Sequence, residues 1–165
     1  MTNSVKLNLI VQYIVDSSNL PTEKDFRLWV INALAVKPRK PTELVIRIVD
    51  EPESASLNQQ YRHKVGPTNI LSFPCTTLPS IPNNFIGDMV ICAPVIAKEA
   101  IEQNKLVHAH WAHIVIHGVL HLLGYDHNTE LTANEMETLE QHILHQLNYP
   151  NPYLEALKIN ADAAL

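Results

Sequence analysis

Cysteine is scarce in this chain, an excess of positive charge is absent, and no apolar run is long enough to cross a bilayer. Each deficit excludes something. The two cysteines, Cys75 and Cys92, are not spaced as a close metal-binding pair, and with no basic-then-apolar signal pattern at the start the expectation is a cytoplasmic protein in a reducing compartment. A formal net charge of −5 gives no general attraction to nucleic acid or to anionic membranes, so any polyanion must be met by a local basic groove; no DNA partner is expected. The longest apolar runs, Ile114-Val115-Ile116 and Leu120 to Leu123, are interrupted by histidine and too short for a membrane span. No internal repeat or linker is visible, and 165 residues suit one domain with a real core.

What is present is an ordered series of short elements. Val5 to Val15 alternates as a strand, with Val5, Leu7, Leu9, Val11 and Tyr13 on one face. Thr22 and Asp25 resemble a capping box opening a helix whose apolar stripe is Phe26, Trp29, Val30, Ala33 and Leu34. Lys37-Pro38-Arg39-Lys40-Pro41 breaks that helix as a solvated loop, and Leu44 to Val49 reads as a second strand. Pro52 fits the first turn of a short helix reaching about Arg62. Asn69 to Phe73 is a short strand stopped by Pro74, residues 74–84 are a proline-rich exposed loop, and Phe85 to Cys92 is a further strand. Pro94 then opens a helix through Ile96, Ala100 and Ile101. A last helix, about Thr132 to Leu147, should turn Met136, Leu139, Ile143 and Leu147 inward and several glutamates outward, with a frayed tail after about residue 153.

The chemistry concentrates between His108 and His127. From His108 to Leu123 the residues are apolar nearly all round, which places the helix they form in the interior. His110, His113, His117 and His121 nevertheless fall on one stripe, because spacings of three and four residues keep side chains on one side of a helix. His117 and His121 project one turn apart, Gly124 can end the helix in a left-handed conformation, and His127 can return on the loop as a third ligand. Three imidazoles on one divalent ion leave a coordination position open, as catalytic zinc sites do. His113 and His110 lie about 6 and 10 Å upstream of His117 at ~1.5 Å per residue, and are expected to support the site or to be hydrogen-bonded in the core rather than to ligate. His108, His142 and His145 read as surface residues. Zinc proteases place a glutamate directly after the first histidine as general base; here that position is Gly118. A metallohydrolase of peptides or small molecules would need a glutamate from elsewhere, such as Glu130 or Glu135. Arg62, at a helix end beside His63 and Lys64, could fork onto phosphate oxygens, or it could be an ordinary surface arginine.

His117-Gly118-Val119-Leu120-His121-Leu122-Leu123-Gly124-Tyr125-Asp126-His127 resembles the signature of the YbeY family of bacterial metal-dependent endoribonucleases and rRNA maturation factors. Leu57-Asn58-Gln59-Gln60-Tyr61-Arg62 with Pro67 to Pro74, and Gly87-Asp88-Met89-Val90-Ile91, resemble two further blocks of that family, so that the similarity runs from about Leu44 to Tyr153. The resemblance implies an α/β (α+β, zincin-like) fold, with a small mixed four-stranded sheet flanked by helices and a buried central helix presenting the histidines. It implies metal ligands at His117, His121 and His127, catalytic importance for Arg62 and His117, and substrate contacts at Lys64, Asn69 and Ser72. The expected ion is one zinc per chain, nickel also suiting imidazole. The implied partners are single-stranded RNA, rRNA and the small ribosomal subunit with its proteins. One departure is Val65, where members commonly have an acid, so no role for that acid carries over. The reading from another functional class is a ribosome assembly factor in which the metal is mainly structural.

Overall fold

The computed structural model describes residues 6–37, 41–75 and 84–153. Its elements alternate strand and helix before ending in helices: β1 Leu7–Tyr13, α1 Glu23–Leu34, β2 Thr42–Val49, α2 Glu51–Arg62, β3 Ile70–Pro74, β4 Phe85–Cys92, α3 Ala93–Glu102, α4 Val107–Leu122 and α5 Glu130–Gln146. The sheet has the order β1-β2-β4-β3. β1 and β2 are parallel, as are β2 and β4, while β3 runs antiparallel on β4 and forms one edge. This is the mixed four-stranded sheet anticipated from the sequence. The middles of the Lys37 to Pro41 loop and of the proline-rich loop, and the tail after residue 153, lie outside the described residues, as does Val5.

Local chemistry explains where the elements begin. Thr22 accepts a hydrogen bond from the Asp25 backbone while the Asp25 carboxylate accepts one from the Thr22 N–H, so both ends of the anticipated capping box form. Asp50 caps α2, and Thr129 makes a reciprocal pair with Thr132 at the start of α5. α5 therefore begins two residues before the boundary expected from its apolar spacing.

The main core lies on one face of the sheet. There Leu44, Ile46, Met89 and Ile91 meet Phe26, Trp29, Val30 and Leu34 of α1 and Trp111, Val115, Ile116, Val119 and Leu120 of α4. α4 is enclosed by α1, the sheet, α3 and α5, and burying each of its large apolar side chains contributes roughly 1.5–3 kcal/mol. A smaller cluster on the opposite face joins Val49, Leu71, Val90 and Cys92 to Leu57 of α2. α2 is thereby held against the sheet, and its last residue, Arg62, comes to the rim near the β3 edge.

Gly118 explains how α4 can lie so close to that edge. A β-carbon there would meet the Ile70 Cδ1 and Met89 Sδ atoms at 2.5 Å each. Both neighbours are buried, so even a methyl group would displace core side chains. The position that carries a glutamate in zinc proteases is here pressed against β3 and β4.

Candidate metal centre

The stripe of histidines forms as the spacing requires, but its two ends have different surroundings. At the inner end His110 Nε2 lies 2.9 Å from Glu99 Oε1 of α3, and His113 Nε2 lies 2.6 Å from Glu140 Oε1 of α5. At the outer end His117 and His121 face each other, with ring centroids 4.7 Å apart.

The turn after α4 brings His127 back. Gly124 has φ +103°, a conformation that side chains disfavour and glycine accepts. Its N–H donates to His121 O, and the Tyr125 N–H reaches back to Leu120 O, each at 3.0 Å. This double closure is the Schellman arrangement, which satisfies carbonyls a helix end leaves open. Lys37, three residues beyond the end of α1, holds the same turn, donating to Leu123 O at 3.3 Å and sitting 4.8 Å over the Tyr125 ring. The His127 ring then stacks on His117 at 5.6 Å and meets His121 edge-on at 5.1 Å.

One ring nitrogen from each of His117, His121 and His127 lies within 4.8 Å of the other two. The donor set is all imidazole, which suits a borderline transition ion and not a hard one such as magnesium. Burial, followed by His117 and His127 and by the Arg62 charge, lowers the His121 pKa to about 4. At neutral pH His121 is thus in the unprotonated form that a metal requires. The residues fit a divalent ion bound on one open side.

That open side is a cleft of ≈ 270 Å³, lined by the three histidines, Arg62, Asn69, Ile70, Ser72, His113, Ile114 and Tyr153. Arg62 is the distant residue whose approach to the histidines the sequence alone could not fix. It is exposed and makes no salt bridge or hydrogen bond among the described residues, which leaves its guanidinium available to an incoming anion. α2 ends immediately after it, because His63 takes a left-handed conformation with φ 57°. Tyr61 meets Phe73 of β3 edge-on at 5.1 Å, fixing that helix end to the cleft's edge strand.

Asn69 and Ser72 line the cleft, whereas Lys64 is exposed and absent from its lining. The Asn69 side chain is already engaged: its Nδ2 donates to both Glu99 oxygens at 3.2 Å and its Oδ1 accepts from the Ile70 N–H at 2.6 Å. Its part is therefore at least as much to shape the wall as to touch a ligand. Glu130 and Glu135 are exposed on the first turns of α5, away from the cleft.

The acid that does come to the histidines is Glu140, which faces inward from α5 while Glu130 and Glu135 of the same helix are exposed. Glu140 is fully buried. Burial alone would raise its pKa, but hydrogen bonds and charge from His113 and His117 outweigh that and hold it at about 2. Burial acts the other way on His113, lowering its pKa by more than the hydrogen bond and charge of Glu140 raise it. Tyr153, just beyond α5, donates to Glu140 Oε1 at 3.1 Å. A signal existed in the sequence: position 140 follows Met136 by four residues and precedes Ile143 and Leu144 by three and four, which is the spacing of the buried face.

Comparison with known proteins agrees with this arrangement. A family described as Endoribonuclease YbeY matches residues 13–148. A protein named Endoribonuclease YbeY from Nitrosococcus oceani is 51% identical over 154 residues, which cover 90% of this chain and 98% of that protein. Among solved structures, the solution structure of TM1509 from Thermotoga maritima superposes with a TM-score of 0.55 at 22% identity, over 86% of this chain and 92% of that one, a likeness of fold.

Proposed function

Because the chain belongs to the YbeY family of endoribonucleases, we propose that it is a metal-dependent endoribonuclease of single-stranded RNA, acting in maturation of the 3′ end of small-subunit rRNA and in ribosome quality control. The observation that carries this reading is the approach of an unpaired arginine, Arg62, to three convergent histidines in one cleft. His117, His121 and His127 hold one divalent ion, zinc by its preference for imidazole, with nickel the alternative the same donors accept. When bound, the ion supplies Lewis-acid polarisation of a phosphoryl oxygen and acidifies water.

The remaining work falls to the chain's own groups. Arg62 forks onto the non-bridging oxygens of the scissile phosphate and stabilises the negative charge that grows during hydrolysis, a role for which a planar guanidinium is better suited than an ammonium. Ser72 offers a hydroxyl on the β3 wall, Asn69 fixes that wall against Glu99, and Ile70 and Ile114 give the cleft an apolar side. Lys64, two residues beyond Arg62, meets the RNA outside the cleft. Because the whole molecule is acidic, substrate is held by this local group of cations and not by the overall field.

Peptide hydrolysis is disfavoured by the close packing at Gly118 and by the exposed positions of Glu130 and Glu135. The chain acts as one YbeY-type metallohydrolase domain over residues 1–165, in the cytoplasm, with the small ribosomal subunit and its proteins as partners. Among the described residues no helix is long and apolar enough to cross a membrane. The test is cleavage of a labelled single-stranded RNA, with the matching DNA and duplex RNA as controls. Activity on the single-stranded RNA, lost on chelation and in His117→Ala, is expected; cleavage that survives both would overturn the reading.

A further inference from the structure

Glu140 has no part in the chemistry just described, yet it is the most thoroughly enclosed charged group recorded in the fold. A carboxylate taken out of water is costly unless donors surround it. Its Oε1 takes hydrogen bonds from His113 Nε2 at 2.6 Å and from the Tyr153 hydroxyl at 3.1 Å, and His117 Nδ1 lies 3.4 Å from the same atom. The last of these contacts matters most for the metal centre, because an imidazole has only two nitrogens. If Nδ1 carries the proton and faces Glu140, the lone pair lies on Nε2, the atom on the far side of the ring.

We propose that Glu140 is the positioning residue of the metal centre: it holds His117 as the Nδ1–H tautomer with Nε2 turned toward His121 and His127, and through Tyr153 it ties the wall of the cleft to the same atom. This inference rests on the reading of the three histidines as ligands. A carboxylate behind a metal-binding imidazole fixes the ring's orientation and raises its basicity. Here the carboxylate is itself fixed, because α5 is capped at Thr129 and packed on α4 through Met136, Ile143 and Leu144. His113 serves Glu140 rather than the ion. Its Nε2 is taken by the carboxylate, and its Nδ1 is buried without a hydrogen-bond partner among the described residues. Glu140 Oε2 is likewise buried and has no partner among the described residues, so the hydrogen bonds recorded for the carboxylate run through the one oxygen that approaches His117. Tyr153 lines the cleft while donating to that oxygen, which makes ion binding and the seating of residues 151–153 two consequences of one hydrogen-bonded cluster.

The experiment combines a spectroscopic and a binding readout. Nitrogen-15 correlation spectra of the metal-free wild-type protein report the tautomer of His117; the Nδ1–H form is expected, and a dominant Nε2–H form would overturn the proposal. Zinc affinity is then measured by competition with a chromophoric chelator in wild type and Glu140→Gln, whose fold is checked by circular dichroism. Glu140→Gln should bind zinc about 10–100-fold more weakly, and affinity within twofold of wild type in a folded variant would overturn the proposal. Should Glu140→Gln fail to fold, the wild-type tautomer decides alone, since that measurement requires no substitution. A wild-type protein that binds no zinc or nickel would remove the ligand reading of the histidines, while the tautomer would still report whether Glu140 orients His117; the two failures are therefore distinct.

Discussion

The two ends of the histidine stripe on α4 share a helix, a face and a residue type, yet they have opposite surroundings. At the inner end His110 and His113 each meet a carboxylate within hydrogen-bonding distance. At the outer end His121 and His127 have no carboxylate partner among the described residues and face other imidazoles. A histidine bonded to an acid in the core is satisfied; histidines gathered together with unprotonated nitrogens are poised for a cation. His117 stands at the boundary, touching Glu140 on one side and the other two ligand candidates on the other. The helix thus holds support and site in series, and neighbours rather than spacing decide which is which.

The comparison breaks most sharply by substitution at the outer end. His121→Ala and His127→Ala should each weaken zinc binding by more than the roughly 10–100-fold expected for losing an outer supporting group, with RNA cleavage abolished. At the inner end Glu99→Gln, which loosens His110, should leave zinc affinity within twofold. Equal losses at both ends, read by chelator competition, would erase the distinction. Arg62→Ala separates the ion from the chemistry: cleavage should fall about 100–1,000-fold, the loss typical of one charge-stabilising donor, with zinc affinity and melting temperature unchanged. A variant that loses zinc instead would show that Arg62 is structural.

Two smaller effects sharpen the account. Gly118→Ala should destabilise the fold by about 1–3 kcal/mol through overpacking, measured by urea unfolding, because the added carbon meets Ile70 and Met89. Acidification should destabilise the metal-free protein. The His121 pKa is lowered from 6.5 to about 4, so the unfolded chain binds the extra proton, and stability fully present above pH 6.5 declines as pH falls toward 4. Glu140, held at about 2 against 4.5, acts in the same direction between pH 4.5 and 2. The thermal midpoint of the metal-free protein should therefore fall on acidification from neutrality; a flat profile would contradict the surroundings assigned to these groups.

Much of this was legible in the chain because the deciding interactions are local. The capping pair Thr22 and Asp25, the stripe from Phe26 to Leu34, the Phe85–Cys92 strand and the closure at Gly124 depend on residues within a few positions of one another. The histidine triad also was legible, since helix periodicity and one turn bring it together. Arg62 and Glu140 were harder, for the same physical reason. Arg62 reaches the cleft because α2 packs on the sheet and Tyr61 packs edge-on against Phe73, contacts between distant segments. Glutamate is ordinarily solvated, and Glu140 is buried because His113, His117 and Tyr153 converge on it from α4 and from beyond α5. Lys64 shows the converse: its adjacency to Arg62 in sequence does not survive the left-handed turn at His63.

The central claim is that the outer histidines hold one divalent ion on which RNA cleavage depends. Metal content per chain, determined by mass spectrometry on purified wild type and His121→Ala alongside cleavage of the same single-stranded RNA, tests it most directly. One zinc or nickel per wild-type chain is expected, with metal and cleavage lost together in the variant. Equal metal content in both proteins, or cleavage by a metal-free variant, would contradict it.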